Sequence, residues 1–306
     1  MTAQFILSLD CEGKWGIADH LGAHDHRALS DERLRAAYRD LVSLLDRLGI
    51  PATFAFVGLF GESARDFARL RPEVERFADS APTYLRPALD DISSGTREGW
   101  HGDWAVDLAG AASVGHEIAL HGITHVPWGA IGRDAAVAEL ALYPQLSSAV
   151  SRSRTFVFPR NQIAHVDLLA RIGIAGYRLA PPRRSRGAAL ISEWNVRAMP
   201  DANPPPTPPP APIPAGYFVN WQHGLRRLVP TCVSVLRLDH LLTVAARESS
   251  VVHLWLHPEN IASAPATLDL LAAMLGRVAQ ARDRGQCAVL TQIDYVAAHR
   301  HPEADR

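Results

Sequence analysis

The sequence predicts an α/β fold built on a parallel sheet or a barrel, and three observations predict it. Short apolar runs alternate with longer stretches whose apolar residues recur at helical spacing. About seven short runs read as strands in this alternation. The length, 306 residues, suits one large α/β barrel or two small domains.

The elements follow in chain order. Phe5 to Leu9 is the first strand. Leu34 to Leu48 carries apolar residues at helical spacing and stops at Gly49. Ala52 to Val57 is the next strand, entered through Pro51, and Asp66 to Asp79 reads as a helix. Glu117 to Leu120 is a short strand, followed by a helix over Asp134 to Val150. Thr155 to Phe158 is a strand ended by Pro159. Val166 to Ile172 is helical, and Gly176 to Leu179 returns to strand. Leu238 to Ala246 is helical and Val251 to Leu256 is a strand. Ala266 to Arg284 is a long helix closed by Gly285, and Cys287 to Leu290 is the last strand.

Two segments break the alternation. Residues 80–104 combine Pro, Ser and Gly with Trp100 and Trp104 and show little periodicity, so they read as an insertion that caps a site. Residues 200–216 hold the run PPPTPPPAPIP, too proline-dense for a helix interior or a central strand; a surface spacer of extended, polyproline-like form is expected. The whole of residues 1–306 is read as a single domain carrying both segments.

Hydrophobic residues make up 47% and charged residues 21%, with a formal net charge of −1. That balance supplies a sizeable core and gives no basic footprint for nucleic acid. No run approaches the roughly 18 apolar residues of a membrane span. The N-terminal MTAQFILSLD has no cationic leader and reads as a buried strand, so a cytoplasmic location is the default expectation. Cys11, Cys232 and Cys287 are widely spaced and form no disulfide framework.

Four segments place polar residues at the C-terminal ends of strands, where barrel active sites assemble. In Asp10-Cys11-Glu12 the two carboxylates share one face of a strand and Cys11 points elsewhere. Two such charges repel unless a cation or proton lies between them. His121 and His125 are four apart; on a helical turn after Leu120 both rings would face one ion. With one carboxylate they form a common catalytic zinc set, which equally suits non-haem iron. His116 is expected to be structural. Arg160 follows the strand that ends at Pro159 and offers a planar fork for a carboxylate, with Asp10 the candidate partner. In VVHLWLHP, His257 leaves the strand end as a candidate general acid, and His253 is expected to be a satisfied core residue.

In that order, D-x-E, HGxTH, FPR and LxLHP resemble the polysaccharide deacetylase family, the NodB-homology or carbohydrate esterase 4 group. GHEIALHGITH is similar to its histidine motif, and Pro51-Ala52-Thr53-Phe54 to its second strand. The resemblance runs from residue 5 to about 292 and is weakest over 80–104 and 185–235. It implies a distorted, incomplete (β/α)7-type barrel around one divalent metal, zinc foremost. The usual pair of adjacent Asp residues is absent: Cys11 stands at the second position and Glu12 one place later, which matches a subset of the family with spaced acids. On that basis Glu12, His121 and His125 are the expected ligands, Asp10 the base, Arg160 its partner and His257 the acid; Asp10 as ligand and Glu12 as base is the reverse option, and ligation by the Cys11 thiolate a third. Trp15, Trp100 and Trp104 are candidates to stack on a sugar, and Asn161 to line the substrate pocket. The family's supporting Asp-and-Trp motif has no clean copy, with Trp194, Trp221 and Asp239 as loose candidates.

The implied activity is hydrolysis of an N-acyl group, acetyl or formyl, from an amino sugar. A cytoplasmic glycan precursor, nucleotide-linked or lipid-linked, is the expected substrate. A cyclic ureide or imide amidohydrolase of the same fold is the nearest alternative. A non-catalytic carbohydrate-binding protein is the alternative from another class.

Overall fold

The computed structural model describes residues 2–96 and 98–299. Among them, nine strands are β1 Ala3–Cys11, β2 Thr53–Phe56, β3 Glu117–Leu120, β4 Thr155–Phe156, β5 Gly176–Arg178, β6 Ala211–Ile213, β7 Tyr217–Phe218, β8 Val251–Leu256 and β9 Cys287–Leu290. The helices are α1 Ala23–Ala28, α2 Asp31–Leu48, α3 Ala64–Ala78, α4 Pro82–Ser93, α5 Asp103–Gly110, α6 Arg133–Leu140, α7 Arg186–Glu193, α8 Thr231–Glu248, α9 Pro258–Ser263, α10 Ala266–Asp283 and α11 Gln292–Ala298.

Every strand pairing is parallel. The order is β6-β5-β4-β3-β2-β1-β8-β7, with β9 pairing only β1. Along one side of β1, Gln4 to Leu9 pair with β8; along the other, Ala3 to Ile6 pair with β9 and Ser8 to Cys11 with β2. The two ends of this order, β6 and β7, are separated in the chain only by residues 214–216. The sheet therefore curls until its ends meet at one extended segment, giving a distorted, incomplete (β/α) barrel.

The helices form for local reasons. In α2, Ser30 caps the start by accepting from the Arg33 amide, and Gly49 ends it at φ 60°. Leu34, Tyr38, Leu41 and Leu45 line its buried face at helical spacing and pack on the sheet. Ser63 caps α3 in the same way.

β1 sets the layering. Phe5, Leu7, Leu9 and Cys11 join the core between sheet and helices. Ile6, Ser8 and Asp10 alternate with them and face the barrel axis. At the lower end of the barrel Ile6, Ile213 and Val251 pack against Tyr295 and Val296 of α11, closing it. Ala55, Ala119 and Val157 fill the middle and leave little space. What remains open is the end where β1, β3, β4 and β8 terminate.

Each of the seven expected strands is present, and two short strands, β6 and β7, are additional. Residues 80–104 differ from expectation: α4 occupies Pro82–Ser93, with Pro82 in the first turn where its missing N–H costs nothing. The helix expected over residues 134–150 ends at Leu140, and short 3-10 turns follow at Tyr143–Gln145 and Ala149–Arg152. The proline run does contribute a strand, β6, but at the edge, paired only with β5. No helix among the described residues is long and apolar enough to cross a membrane.

Candidate functional site

A cavity of about 350 Å³ opens at the C-terminal mouth of the barrel, lined by Asp10, Glu12, His121, His125, Arg160, Asn161, Trp221, Trp255, His257 and Glu259 among others. A larger hollow between α8 and α10, about 500 Å³, is lined by surface groups such as the ion pair Arg277–Asp239 and gathers no cluster of catalytic groups.

Glu12 is the focus of the cavity. Its Oε1 lies 2.9 Å from His121 Nε2, 3.0 Å from His125 Nε2 and 3.4 Å from His257 Nε2. Close packing brings it there: a Cβ on Gly16 would sit 1.8 Å from Glu12 Oε2, so only glycine leaves room for the carboxylate. The other carboxylate of the motif, Asp10, is buried and takes a bidentate pair from Arg178, Nη1 to Oδ1 at 2.7 Å and Nη2 to Oδ2 at 2.6 Å. Burial alone would raise its pKa, but the Arg178 guanidinium outweighs this and holds Asp10 below the usual carboxylate range.

His121 directly follows β3, and its Nδ1 faces the Val157 carbonyl at 2.9 Å. A carbonyl only accepts, so Nδ1 carries the proton and Nε2 presents its lone pair to Glu12. Two acceptors at 2.9 Å need a proton or a cation between them. Glu12, His121 and His125 have donor atoms within 4.8 Å of one another. A carboxylate with two imidazoles, one of them fixed through its second nitrogen, is a donor set that fits a first-row divalent ion such as zinc. Asp10, Glu12 and His257 form a second such group, but both Asp10 oxygens are already engaged by Arg178. That favours Glu12 over Asp10 as the ligand.

The histidine segment is a loop, not the helical turn expected. Gly122 and His125 adopt φ of 68° and 63°. The loop is held from beneath by Glu139 of α6, fully buried, which accepts from the Ile123 and Thr124 amides, the Thr124 hydroxyl and the Trp128 indole. His257 follows β8; its Nδ1 faces Asn260 Oδ1 at 3.3 Å, and Phe218 and Trp255 flank its ring. Burial opposes its charged form, yet Glu12, Asp10 and Glu259 together push its pKa up to about 9. Glu259 accepts from the Glu12 and Gly13 amides, and burial together with the Glu12 charge raises its pKa to about 7.

Arg160 is a correction. It lines the cavity but pairs with Asp19, Nη1 to Oδ2 at 2.9 Å, beneath the Tyr84 ring; the partner of Asp10 comes from the next strand, β5. The reason is directional: Arg160 sits at φ 53° in a turn aimed at the rim, whereas Arg178 lies on the inner face of a strand. The aromatic expectations also change. Trp15 and Trp100 are buried against each other, with ring centroids 5.2 Å apart, so neither face is free for a sugar. Trp104 packs on Tyr38 under Arg35, outside the cavity lining. No described residue of the insertion lines the cavity, although its Tyr84 stacks over Arg160, which does. Trp221 and Trp255 are the tryptophans that line it. Trp194 is 52% exposed and Asp239 pairs with Arg277, both away from the site.

Asn161 lines the cavity and accepts from Arg178 at 3.3 Å. His253 donates from Nδ1 to the Pro214 carbonyl and takes the Ser8 hydroxyl at Nε2, a satisfied core residue. His116 accepts from the Ala52 amide and packs on Phe54. Cys11 is buried on the opposite face, its thiol pushed well up by burial, and offers no thiolate to the site. Arg178, Glu139 and Glu259 were not singled out from the sequence; a charged residue inside the expected strand Gly176–Leu179 was the available signal for the first.

No family model and no curated protein matches the chain. Solved structures do. A candidate polysaccharide deacetylase from Mycobacterium smegmatis aligns at TM-score 0.55 and 13% identity, over 98% of this chain and 91% of that one. A candidate polysaccharide deacetylase from Pseudomonas aeruginosa PAO1 gives 0.49 and 14%, over 98% and 92%. Puue allantoinase gives 0.49 and 13%, over 97% and 90%. The first of these likenesses is one of fold along nearly the whole chain.

Proposed function

We propose, from the polysaccharide deacetylase fold that this chain shares and from its barrel-mouth cluster, that it is a metal-dependent hydrolase that removes an N-acyl group from an amino sugar. The observation that carries this reading is the convergence of His121 Nε2 and His125 Nε2 on one Glu12 oxygen, at 2.9 and 3.0 Å, beside Asp10 and His257. Glu12, His121 and His125 would hold one divalent cation, zinc foremost. When bound, that ion supplies Lewis acidity to an acyl oxygen.

The chain's own groups supply the rest. Asp10, kept ionised and oriented by Arg178, takes a proton from the attacking water. His257, protonated beside Glu12 and Glu259, gives a proton to the departing amine nitrogen, which is a poor leaving group until then. Trp221, stacked on His223 by one face, offers the other to an apolar sugar surface, and buried Trp255, under the Arg178 guanidinium, forms part of the wall. The natural substrate on this reading is an amino-sugar precursor, nucleotide-linked or lipid-linked, met in the cytoplasm.

The test is release of acetate or formate from N-acylated amino sugars, with allantoin as a contrasting amide. Zinc-loaded protein is expected to release acid from the sugar, and chelator-treated protein to lose at least about a hundredfold in rate. Full activity after metal removal, or turnover of allantoin alone, would overturn the reading.

A further inference from the structure

A second cavity, about 280 Å³, adjoins the first, and Trp255 lines both. Phe218, which flanks His257 with its ring centroid 5.8 Å away, lines the second cavity too. A molecule reaching from one cavity to the other would pass along the edge of this aromatic pair.

The second cavity is rich in donors. Arg184, Arg226 and Arg237 line it, against two carboxylates, Glu193 and Asp201. The carboxylates are already committed. Buried Glu193 is shared between Arg226 at 2.7 Å and Arg237 at 3.2 Å, and Asp201 accepts the Gly216 amide at 2.6 Å. Arg184 has no hydrogen bond or ion pair among the described residues, so one positive charge is left over. Arg237 Nε and Trp255 Nε1 are buried without an acceptor. Unmet buried donors beside a surplus cation call for an acceptor-rich anion.

We infer that this cavity is a subsite for an oxyanion, phosphoryl or carboxylate, carried by the same substrate whose acyl group is presented to His257. The inference rests on the deacylase reading for the word substrate, but the anion site itself stands on the arginines and is tested apart from turnover. Arg184 is the residue free to close on the anion, while Arg226 and Arg237 are fixed by Glu193 and form the rear of the subsite. A neutral amino sugar would fill only the catalytic cavity.

The experiment is calorimetric binding to the full chain of three probes: N-acetylglucosamine, its 1-phosphate, and the corresponding 2-acetamido uronic acid. Each is measured on the wild type, on His121→Ala/His125→Ala, and on Arg184→Glu. At least one anionic probe is expected to bind about tenfold tighter than the neutral sugar, to keep that advantage in the double-histidine variant, and to lose it in Arg184→Glu. Preference for the 1-phosphate assigns a phosphoryl group; preference for the uronic acid assigns a carboxylate. An Arg226→Lys variant, which keeps the charge on Glu193, guards against a folding artefact and is expected to weaken the anionic probes alone. No advantage for either anion, or an advantage that survives Arg184→Glu or vanishes with the two histidines, overturns the subsite. Arg184-dependent binding without acid release would leave the subsite standing and fail the deacylase reading.

Discussion

At the scale of single residues, the chemistry depends on which arginine faces Asp10. Arg178 makes the bidentate pair, and Arg160 is spent on Asp19. Replacing Arg178 by Ala leaves a buried carboxylate without its cation, so the pKa of Asp10 should rise. The acid limb of the rate profile is then expected to move to higher pH and kcat to fall about a hundredfold, while Arg160→Ala leaves the limb where it was. A pH–rate profile of both variants checks this. The pair His257 and Glu259 gives a second test, in metal-free protein. Glu259 is raised to about 7 and His257 to about 9, so in each case the folded state binds more protons than the unfolded chain. Stability is therefore expected to fall as pH rises from about 6.5 to 9, and most of that slope should disappear in His257→Asn; below 6.5 the Glu259 contribution is opposed by buried His253, whose pKa is pushed down to about 3. Thermal unfolding across that range measures it. The sequence made Asp10, Glu12, His121, His125 and His257 legible because strand ends and spacing point to them. It pointed to the wrong arginine, since only the turn at Pro159-Arg160-Asn161 decides where Arg160 aims, and Arg178 in the next strand was not singled out.

At the scale of elements, the histidine loop and its support matter most. Four donors from Ile123, Thr124 and Trp128 converge on the buried Glu139 carboxylate. Glu139→Ala would strand them, with an expected loss of about 3 kcal/mol in stability and a drop of about 10- to 100-fold in zinc affinity, because His125 rides on that loop. Chemical denaturation and zinc titration read the two effects separately. Gly16→Ala is expected to act differently. Its methyl would displace the Glu12 carboxylate, a flexible tip, so zinc affinity should fall with little change in unfolding. The strands β1, β2, β3 and β8 were legible because parallel strands buried on both faces are continuous apolar runs. Helix α4 was not, because Pro82, Pro87 and Ser93 mask its periodicity, although Leu85, Ala88 and Leu89 bury one face. The expected helix over 134–150 overran because the apolar spacing continues after the backbone breaks ahead of Pro144.

At the scale of the whole molecule, the barrel is plugged at one end and open at the other. The plug joins strands and the C-terminal helix: Glu117 accepts from Thr53 at 2.8 Å, Thr155 at 2.5 Å and the Ile293 amide at 3.0 Å. Glu117→Ala is expected to cost about 2–3 kcal/mol by leaving those donors unpaired, and thermal unfolding would show it. The closure through residues 214–216 was invisible in the sequence, because β6 is three residues from a proline run and β7 only two residues long. The α/β alternation was plain, and so was the end of the barrel that carries the polar residues. The central claim is that groups from β1, the β3 loop and the end of β8 meet over one cation. Zinc titration of chelator-treated protein, with the bound ion located by anomalous diffraction, tests it most directly. One ion per chain against Glu12, His121 and His125, lost in His121→Ala, is the expected result. No bound ion, or one seated elsewhere and indifferent to that substitution, would contradict it.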